Sequence, residues 1–333
     1  LQLYSLKDSS RDAVGDAFEI FIGPSLKGAQ GQFFTPRNVV NMVIRMIDPG
    51  IDERILDPAC GSGGFLVESL RYVWNKLEEK AADLGWPESE IEAEKQRIAI
   101  KNLRGIDKDS FLSKVAKAYL AILGDGRGGI HCENSLESFH NWSAKTFEDI
   151  QPESFDVIVT NPPFGKKLSI DSTEILELYD LGHRWNSVPG GVFEKGALAD
   201  KQPPQLLFIE RCFQMLRPGG RMGIVLLESI FGMPKYQYVV NYIRLQAKIN
   251  AIVTLPEDLF QPHTHAKCCV LICQKYKKNE SYSSCDNYDI FMSDVKWCGH
   301  DSRGNITYSY TSTGEKVVLD EIPLVADRYL EMR

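Results

Sequence analysis

Several features that define common protein classes are missing from this chain of 333 residues. No apolar run reaches the roughly 18 residues that a membrane span needs. The opening residues, LQLYSLKDSS, do not form a secretory signal. We therefore expect a cytoplasmic protein that does not bind membranes. The chain begins without Met, so we also expect it to be a piece of a longer one.

Paired metal ligands of the usual kind are absent as well. The chain has eight cysteines but no C-x-x-C pair, which argues against a structural zinc site. Because the chain is long and lacks a secretory signal, we expect free thiols rather than disulfides. We expect no bound metal.

An excess of positive charge is also missing. The chain has 38 Lys and Arg against 45 Asp and Glu, a net charge of −7. This balance excludes a protein that coats nucleic acid with a generally basic surface, although it allows one basic face. Hydrophobic residues make up 43% of the chain, which is enough for a sizeable core in one large domain or two small ones.

Strand and helix patterns alternate along most of the chain. Seven apolar, β-branched runs predict strands, and helical patterns separate most of them. The predicted strands are residues 54–57, 103–107, 128–134, 155–160, 221–227, 250–255 and 267–274. Successive βα units predict an α/β fold with a doubly wound, mostly parallel, seven-stranded sheet. Because no helix separates the last two strands, the last strand is expected to pair antiparallel.

Three segments are predicted from composition. Residues 1–34 are a helical lead-in, residues 35–275 are the main domain, and the more polar residues 276–333 are a small C-terminal extension. Two insertions interrupt the main domain. Residues 75–102 are charged and helical, whereas residues 165–202 have the weak periodicity of a functional or disordered loop.

A glycine-rich turn, DPACGSGG over residues 57–64, follows the first predicted strand. Its glycines let the backbone approach a ligand closely, and the next helix supplies free N–H groups. Leu66 stands where the dinucleotide pattern G-x-G-x-x-G needs its third glycine, and no phosphate loop is present. We therefore predict a site for a nucleoside without a pyrophosphate. Its expected residues are Asp57, Pro58, Ala59, Gly61, Ser62 and Gly63.

Polar groups also follow the next two predicted strands. Asp107 ends the second strand, where a carboxylate can accept hydrogen bonds from both hydroxyls of a ribose. A helix cap is the alternative role for this residue. Asn134 and Ser135 end the third strand and are suited to the edge of an adenine.

Asn161, Pro162, Pro163 and Phe164 directly follow the fourth predicted strand. The two prolines remove N–H donors and stiffen the turn. The Asn161 amide and the Pro162 carbonyl are then held as acceptors at the edge where α/β sheets bind ligands, and Phe164 offers a flat apolar face. This pattern favours a site for a planar group with an amine. A rigid structural turn with a packed Phe is the alternative.

Together these motifs resemble the N6-adenine DNA methyltransferases, more narrowly the modification subunits of type I restriction-modification systems. Residues 31–36 (GQFFTP) are similar to the family's G-x-F-[YF]-T-P motif, residues 57–65 to its S-adenosylmethionine loop, and residues 161–164 to its N-P-P-[YF] catalytic tetrad. Residues 105–107 and 255–267 are similar to further motifs. The cofactor motifs precede the catalytic one, as in the γ arrangement.

The resemblance implies a Rossmann-like, S-adenosylmethionine-dependent methyltransferase fold. It implies methyl transfer from S-adenosylmethionine to the N6 amine of adenine in DNA, with a flipped adenine from double-stranded DNA in contact with the tetrad. The implied partners are a specificity subunit, a second modification subunit and a restriction subunit. The resemblance adds the following residues to the predicted cofactor site: Gln32, Phe34, Thr35, Pro36 and Asn161.

Three further points concern the cofactor site, the DNA contacts and the alternative functions. Asn134 departs from the Asp that many relatives have at this position. Lys166 and Lys167, directly after the tetrad, are candidate contacts to DNA phosphates. Because other enzymes share the tetrad, a methyltransferase acting on protein glutamine or RNA remains an alternative. The other alternative is a non-catalytic scaffold that binds DNA or partner subunits.

Overall fold

The computed structural model of the chain describes residues 35–123, 129–165, 168–261, 264–282 and 288–333. The predictions for the lead-in, for Gln32 and Phe34, and for Lys166 and Lys167 lie outside these residues. An eight-stranded sheet forms the centre, and helices pack on both of its faces. No helix in the described ranges is both long and apolar enough to cross a bilayer.

The elements are numbered here along the chain. The helices are α1 (Arg37–Ile47), α2 (Gly64–Leu84), α3 (Glu88–Asn102), α4 (Ser110–Leu123), α5 (Ala144–Asp149), α6 (Thr173–Leu176), α7 (Pro204–Met215), α8 (Ser229–Gly232), α9 (Gln237–Gln246) and α10 (Ile322–Met332). The strands are β1 (Ile55–Asp57), β2 (Leu103–Ile106), β3 (Ile130–His131), β4 (Phe155–Thr160), β5 (His183–Val188), β6 (Val192–Leu198), β7 (Leu216–Leu227), β8 (Ala247–Thr254), β9 (Cys268–Lys275), β10 (Phe291–Asp294), β11 (Tyr308–Tyr310) and β12 (Lys316–Val318).

The central sheet has the order β10-β8-β9-β7-β4-β1-β2-β3. The seven predicted strands all form, and β9 runs antiparallel between β7 and β8, so the expected α/β fold is confirmed. The mostly apolar run of β4 lies in the middle of the sheet, where both faces are covered. An eighth strand, β10, pairs parallel with β8 at the edge, although its residues were expected only within the C-terminal extension.

The C-terminal helix α10 packs into the main core. Val325 and Tyr329 of α10 belong to the same buried cluster as the apolar face of α1. The Asn38 amide of α1 donates a hydrogen bond of 2.9 Å to Asp320 just before α10. The domain boundary placed at residue 275 stays a prediction.

The first insertion is a helical hairpin, as its charged periodicity indicates. α2 ends at Gly85, whose φ of +66° suits glycine, and α3 begins after Pro87. The Lys95 ammonium pairs with Glu78, so the two helices are joined by charge as well as by packing.

Residues 168–202 of the second insertion contact α7 and include a β5–β6 hairpin. The carboxylate of the buried residue Glu210 accepts hydrogen bonds from the backbone N–H groups of Asp180 and Leu181, at 2.9 and 2.8 Å. Arg211, with 1% of its surface exposed, donates to the Tyr179 hydroxyl at 2.8 Å and to the Glu137 carbonyl at 2.7 Å. These buried contacts are nonlocal, and therefore the weak periodicity of the insertion did not reveal them.

The expectation of free thiols is confirmed for the described cysteines. Seven are free, and six of these are buried while Cys132 is exposed. Cys285 lies outside the described residues.

Candidate active site

The glycine turn between β1 and α2 lies at the carboxyl edge of the sheet. Gly61 and Gly63 have φ angles of +52° and +91°, a region that favours glycine because it has no Cβ. The Cys60 N–H donates to the carbonyl of Ile106 at 2.9 Å, which ties the turn to the end of β2. The surroundings of Gly61 are open, since a Cβ built there would have no neighbour within 4 Å. The turn thus leaves its backbone accessible to a ligand.

Asp57 lies beneath this turn, with 1% of its surface exposed. One of its oxygens accepts hydrogen bonds from the Thr160 hydroxyl at 2.6 Å and from the Ala59 N–H at 3.0 Å. Burial raises the pKa of Asp57 to about 7, and these two hydrogen bonds act in the opposite direction. Asp57 therefore connects β1, β4 and the glycine turn through hydrogen bonds and fixes the position of the turn.

Asp107, at the end of β2, is half-buried and also holds the turn. Its two oxygens accept hydrogen bonds from the N–H groups of Gly61 at 2.9 Å and Asp109 at 2.8 Å. Burial raises the pKa of Asp107, and these backbone hydrogen bonds oppose the shift. Each carboxylate oxygen can accept more than one hydrogen bond, so Asp107 retains capacity for a ribose hydroxyl.

Asn134 and Ser135, the predicted contacts to an adenine edge, make local hydrogen bonds at the end of β3, and their role toward a ligand stays a prediction. The Asn134 amide oxygen accepts from the Leu136 N–H at 3.1 Å, and its nitrogen donates to Glu137 at 3.2 Å. Ser135 is buried, and its hydroxyl donates to the carbonyl of Pro58 at 2.5 Å. The pair therefore fixes the end of β3 against the glycine turn.

Asn161 follows β4, and its amide is oriented by Thr35. The amide nitrogen donates to the Thr35 hydroxyl oxygen at 2.9 Å. The amide oxygen is buried and receives no hydrogen bond from any residue that the structure describes. A buried acceptor without a donor is energetically costly, so an N–H group on a ligand would stabilise this arrangement.

The contact with Thr35 differs from the local pattern at residues 35 and 36. A Thr followed by Pro is typical of a hydroxyl N-cap with Pro at the first helical position. Instead α1 begins at Arg37 with Pro36 at the N-cap, and no side chain caps it. The hydroxyl serves the Asn161 amide, which is 126 residues away in the chain.

Phe164 also differs from its expected position. Instead of presenting an open face, it is 3% exposed and packs edge-to-face against Phe260, with ring centroids 5.6 Å apart. Phe260 belongs to the motif at residues 255–267, so the structure brings this motif next to the tetrad. Pro162 is buried and Pro163 is half-buried in the same turn.

Gln205, in the first turn of α7, is a candidate that the sequence analysis missed. Only 2% of its surface is exposed, and its amide oxygen accepts from the Leu227 N–H at 3.2 Å. Its amide nitrogen is buried and has no acceptor among the described residues. Leu227 ends β7, the strand beside β4, so this donor and the Asn161 acceptor lie at the ends of neighbouring strands. A single polar residue at the start of an apolar helix is too weak a signal to identify it.

Comparisons with known proteins agree with this geometry. The methylase subunit of the type I restriction enzyme EcoEI from Escherichia coli is 25% identical over 334 residues, covering 94% of this chain and 60% of the relative. The MjaVII methylase subunit from Methanocaldococcus jannaschii is 27% identical over 287 residues, covering 84% of this chain and 43% of the relative. The chain thus spans 60% or less of the length of these relatives.

A solved structure and a family match complete the comparison. The type I restriction-modification system methyltransferase subunit from Streptococcus thermophilus superposes with a TM-score of 0.65 at 18% identity, over 100% of this chain and 60% of that one. This likeness shows a shared fold. Residues 9–305 match the N-6 DNA Methylase family. With the match extending over most of its length, the chain belongs to the N-6 DNA methylase family.

Proposed function

We propose that this chain transfers a methyl group from S-adenosylmethionine to the N6 amine of adenine in DNA, as the methylating part of a type I modification subunit. The single observation that carries the proposal is the Asn161 amide oxygen at the end of β4, which is buried and has no donor among the residues that the structure describes. An exocyclic amine is a hydrogen-bond donor of the kind that this oxygen lacks. The family match and the names of the relatives support the same reaction.

The residues around the glycine turn fit S-adenosylmethionine, which has a ribose and an adenine but no phosphate. We propose that the cofactor lies over the turn at Gly61, where the backbone faces open space. Asp107 would accept hydrogen bonds from the ribose, and Thr35 and Pro36 would bound the other side. When bound, the cofactor supplies an electrophilic methyl group on its sulfonium sulfur.

The role of Asn161 follows from the weak nucleophilicity of the adenine amine, whose lone pair is delocalised into the ring. Hydrogen bonds from the amine to the Asn161 oxygen and the Pro162 carbonyl would favour a pyramidal nitrogen with a localised lone pair. Asn161 and Pro162 would hold this lone pair toward the methyl group that the cofactor supplies, with the neutral sulfide as the leaving group, and the alkylated amine would release one proton to water. The chain contributes positioning and oriented dipoles.

The substrate and partners are also part of the proposal. The target adenine must leave the duplex, at a cost of a few kcal/mol. With a net charge of −7, the chain is suited to holding one extruded base while a specificity subunit binds most of the phosphates. We propose that Lys166 and Lys167 add local phosphate contacts. A second modification subunit and a restriction subunit would complete the cytoplasmic complex, without a metal in this site.

The test compares Asn161→Ala with Asn141→Ala, a control at an exposed asparagine. Labelled methyl transfer from S-adenosylmethionine to DNA, RNA and glutamine peptides is measured in the assembled complex, and cofactor affinity is measured by calorimetry. We expect Asn161→Ala to abolish transfer to DNA while leaving cofactor affinity within a few-fold, and Asn141→Ala to behave as the wild type. Near-normal DNA methylation by Asn161→Ala, transfer only to RNA or peptide, or no cofactor binding would refute the proposal.

A further inference from the structure

A cavity of about 390 Å³ lies outside the site described above. One wall is the start of β5 together with residues 199–203, which lead into α7. The other wall is formed by residues 235–238, which follow β7 and α8. The lining residues are Arg184, Trp185, Ala199, Asp200, Lys201, Gln202, Pro203, Lys235, Tyr236 and Tyr238. We call this cavity the aromatic–basic groove.

The groove lies at the same edge of the sheet as Asn161. Gln205, at the start of α7, contacts Leu227 at the carboxyl end of β7, so both walls begin near that strand end. β7 pairs parallel with β4, the strand that precedes Asn161. Carboxyl ends of parallel neighbours meet at one edge, and therefore the groove begins one strand away from the proposed target base.

The lining combines flat rings with positive charge. The rings of Trp185 and Tyr238 are nearly parallel, at 13°, with centroids 6.1 Å apart. The Lys235 ammonium lies 4.6 Å from the centroid of the Tyr236 ring. Aromatic side chains that stack bases, beside cations that bind phosphates, are the chemistry of single-stranded nucleic-acid binding.

The charge of the groove differs from that of the whole insertion, in which acids and bases nearly balance. Three cations line the groove: Arg184, Lys201 and Lys235. The one acidic residue among the lining residues, Asp200, pairs with Arg184 at 2.5 Å, and their side chains are 87% and 59% exposed. Because such an exposed pair contributes little, a phosphate can replace Asp200 at small cost.

The groove is held in place by hydrogen bonds to neighbouring residues, one of which is buried. The Trp185 indole N–H donates to the Asp180 carbonyl at 3.1 Å, and Asp180 is bonded through its own N–H to Glu210 of α7. Gln202, which is buried, donates to the carbonyls of Leu181 and His183 at 2.9 and 3.3 Å. A ring surface fixed before binding loses less conformational entropy when a ligand stacks on it.

We propose that the aromatic–basic groove binds an unpaired nucleotide segment of DNA next to the extruded adenine. A base stacks on the Trp185 ring and so extends the Trp185–Tyr238 pair, and the phosphates beside it contact Lys201 and Lys235. This inference rests on the proposed function. It adds a second contact with unpaired DNA, which would offset part of the cost of opening the duplex.

The test measures the affinity of the full chain for a fluorescein-labelled, short single-stranded oligodeoxynucleotide by fluorescence anisotropy. We expect Trp185→Ala to weaken binding by roughly 5- to 150-fold, the usual loss for one stacked base. Trp185→Phe keeps a stacking ring and should retain most of the affinity, which separates stacking from misfolding. Trp297→Ala, at an exposed Trp outside the groove, is the matched control and should bind as the wild type.

A second experiment tests the phosphate contacts with a double variant, Lys201→Ala with Lys235→Ala. Lys278→Ala, at an exposed lysine, is its control. Two lost phosphate contacts should reduce the slope of log affinity against log salt by roughly 1.4 for a single strand. Unchanged affinity in Trp185→Ala and an unchanged slope in the lysine variant would overturn the inference. A third result would also overturn the inference: Trp185→Ala weakens binding of a specificity subunit but leaves oligonucleotide affinity unchanged. The groove would then be a protein-binding surface.

Failure of the inference can be told apart from failure of the proposed function. If wild-type complex methylates DNA but the groove variants bind the oligonucleotide normally, only the groove assignment is wrong. If the wild-type complex transfers no methyl group to DNA, the proposed function fails, whatever the anisotropy shows.

Discussion

Replacing Thr35 with Val tests how the Asn161 amide is held. Val has nearly the shape of Thr but lacks the hydroxyl that accepts the Asn161 amide hydrogen at 2.9 Å. Loss of the hydrogen bond leaves the amide nitrogen without that acceptor, at a cost of about 1–3 kcal/mol. If the amide must hold this orientation to bind the target amine, the same free energy raises the barrier to methyl transfer. We therefore expect a rate roughly 5- to 150-fold lower.

The assay is single-turnover methyl transfer at saturating S-adenosylmethionine and saturating DNA. Thr35→Ser keeps the hydroxyl and is the matched control, with an expected rate within a few-fold of the wild type. Thermal unfolding of both variants checks that α1 is still in place.

Two results would refute this reasoning. A Thr35→Val rate equal to that of the wild type would show that the hydroxyl does not orient Asn161 in the reacting complex. A defect that disappears at saturating cofactor would show that Thr35 acts only through cofactor affinity.

Three further predictions concern the stability effects of Asp57 and Arg211 and the binding of duplex DNA. The pKa of Asp57 is about 7 in the folded chain, against an ordinary value of 3.8. Between these two pH values the folded chain binds a proton that the unfolded chain has released. The free energy of unfolding should therefore fall as the pH rises from about 4 to about 7, by at most about 4 kcal/mol. Urea unfolding should show a weaker pH dependence in Asp57→Asn, and an unchanged dependence would contradict this. Arg211→Met should lower the free energy of unfolding by about 3 kcal/mol or more, because buried partners lose a charged donor. Arg328→Met, at an exposed position, should lower it little, and equal effects of the two substitutions would refute the argument. The isolated chain should bind duplex DNA weakly with a shallow salt dependence, and a steep slope would contradict phosphate binding by a partner.

The strands and the turns after them could be predicted because their signals are local. The run FDVIVT predicts a buried central strand, and the glycines at 61 and 63 predict a turn that needs positive φ. Alternation of strands and helices then fixes the α/β class and the common edge where strand ends meet. This is why the glycine turn and the Asn161 turn were both placed correctly relative to their strands.

What the sequence could not show depends on nonlocal contacts. Thr35 carries a helix-cap signal, but its hydroxyl hydrogen-bonds to a distant amide instead. Phe164 was read as an open ring because nothing in the sequence pairs it with Phe260. The groove was hidden for a similar reason, since its two walls, residues 184–203 and residues 235–238, are distant in the sequence.

The packing of α10 on α1 also bears on how long α1 stays uncovered during synthesis. Arg45 of α1 pairs with Asp327 of α10, 282 residues later in the chain. At roughly 5–20 residues per second, a ribosome needs about 15 to 55 seconds to make that interval. During that time α1 lacks the cover that Val325 and Tyr329 of α10 provide in the shared buried cluster. A nascent chain therefore keeps part of the apolar face of α1 uncovered until residues 322–332 have been made.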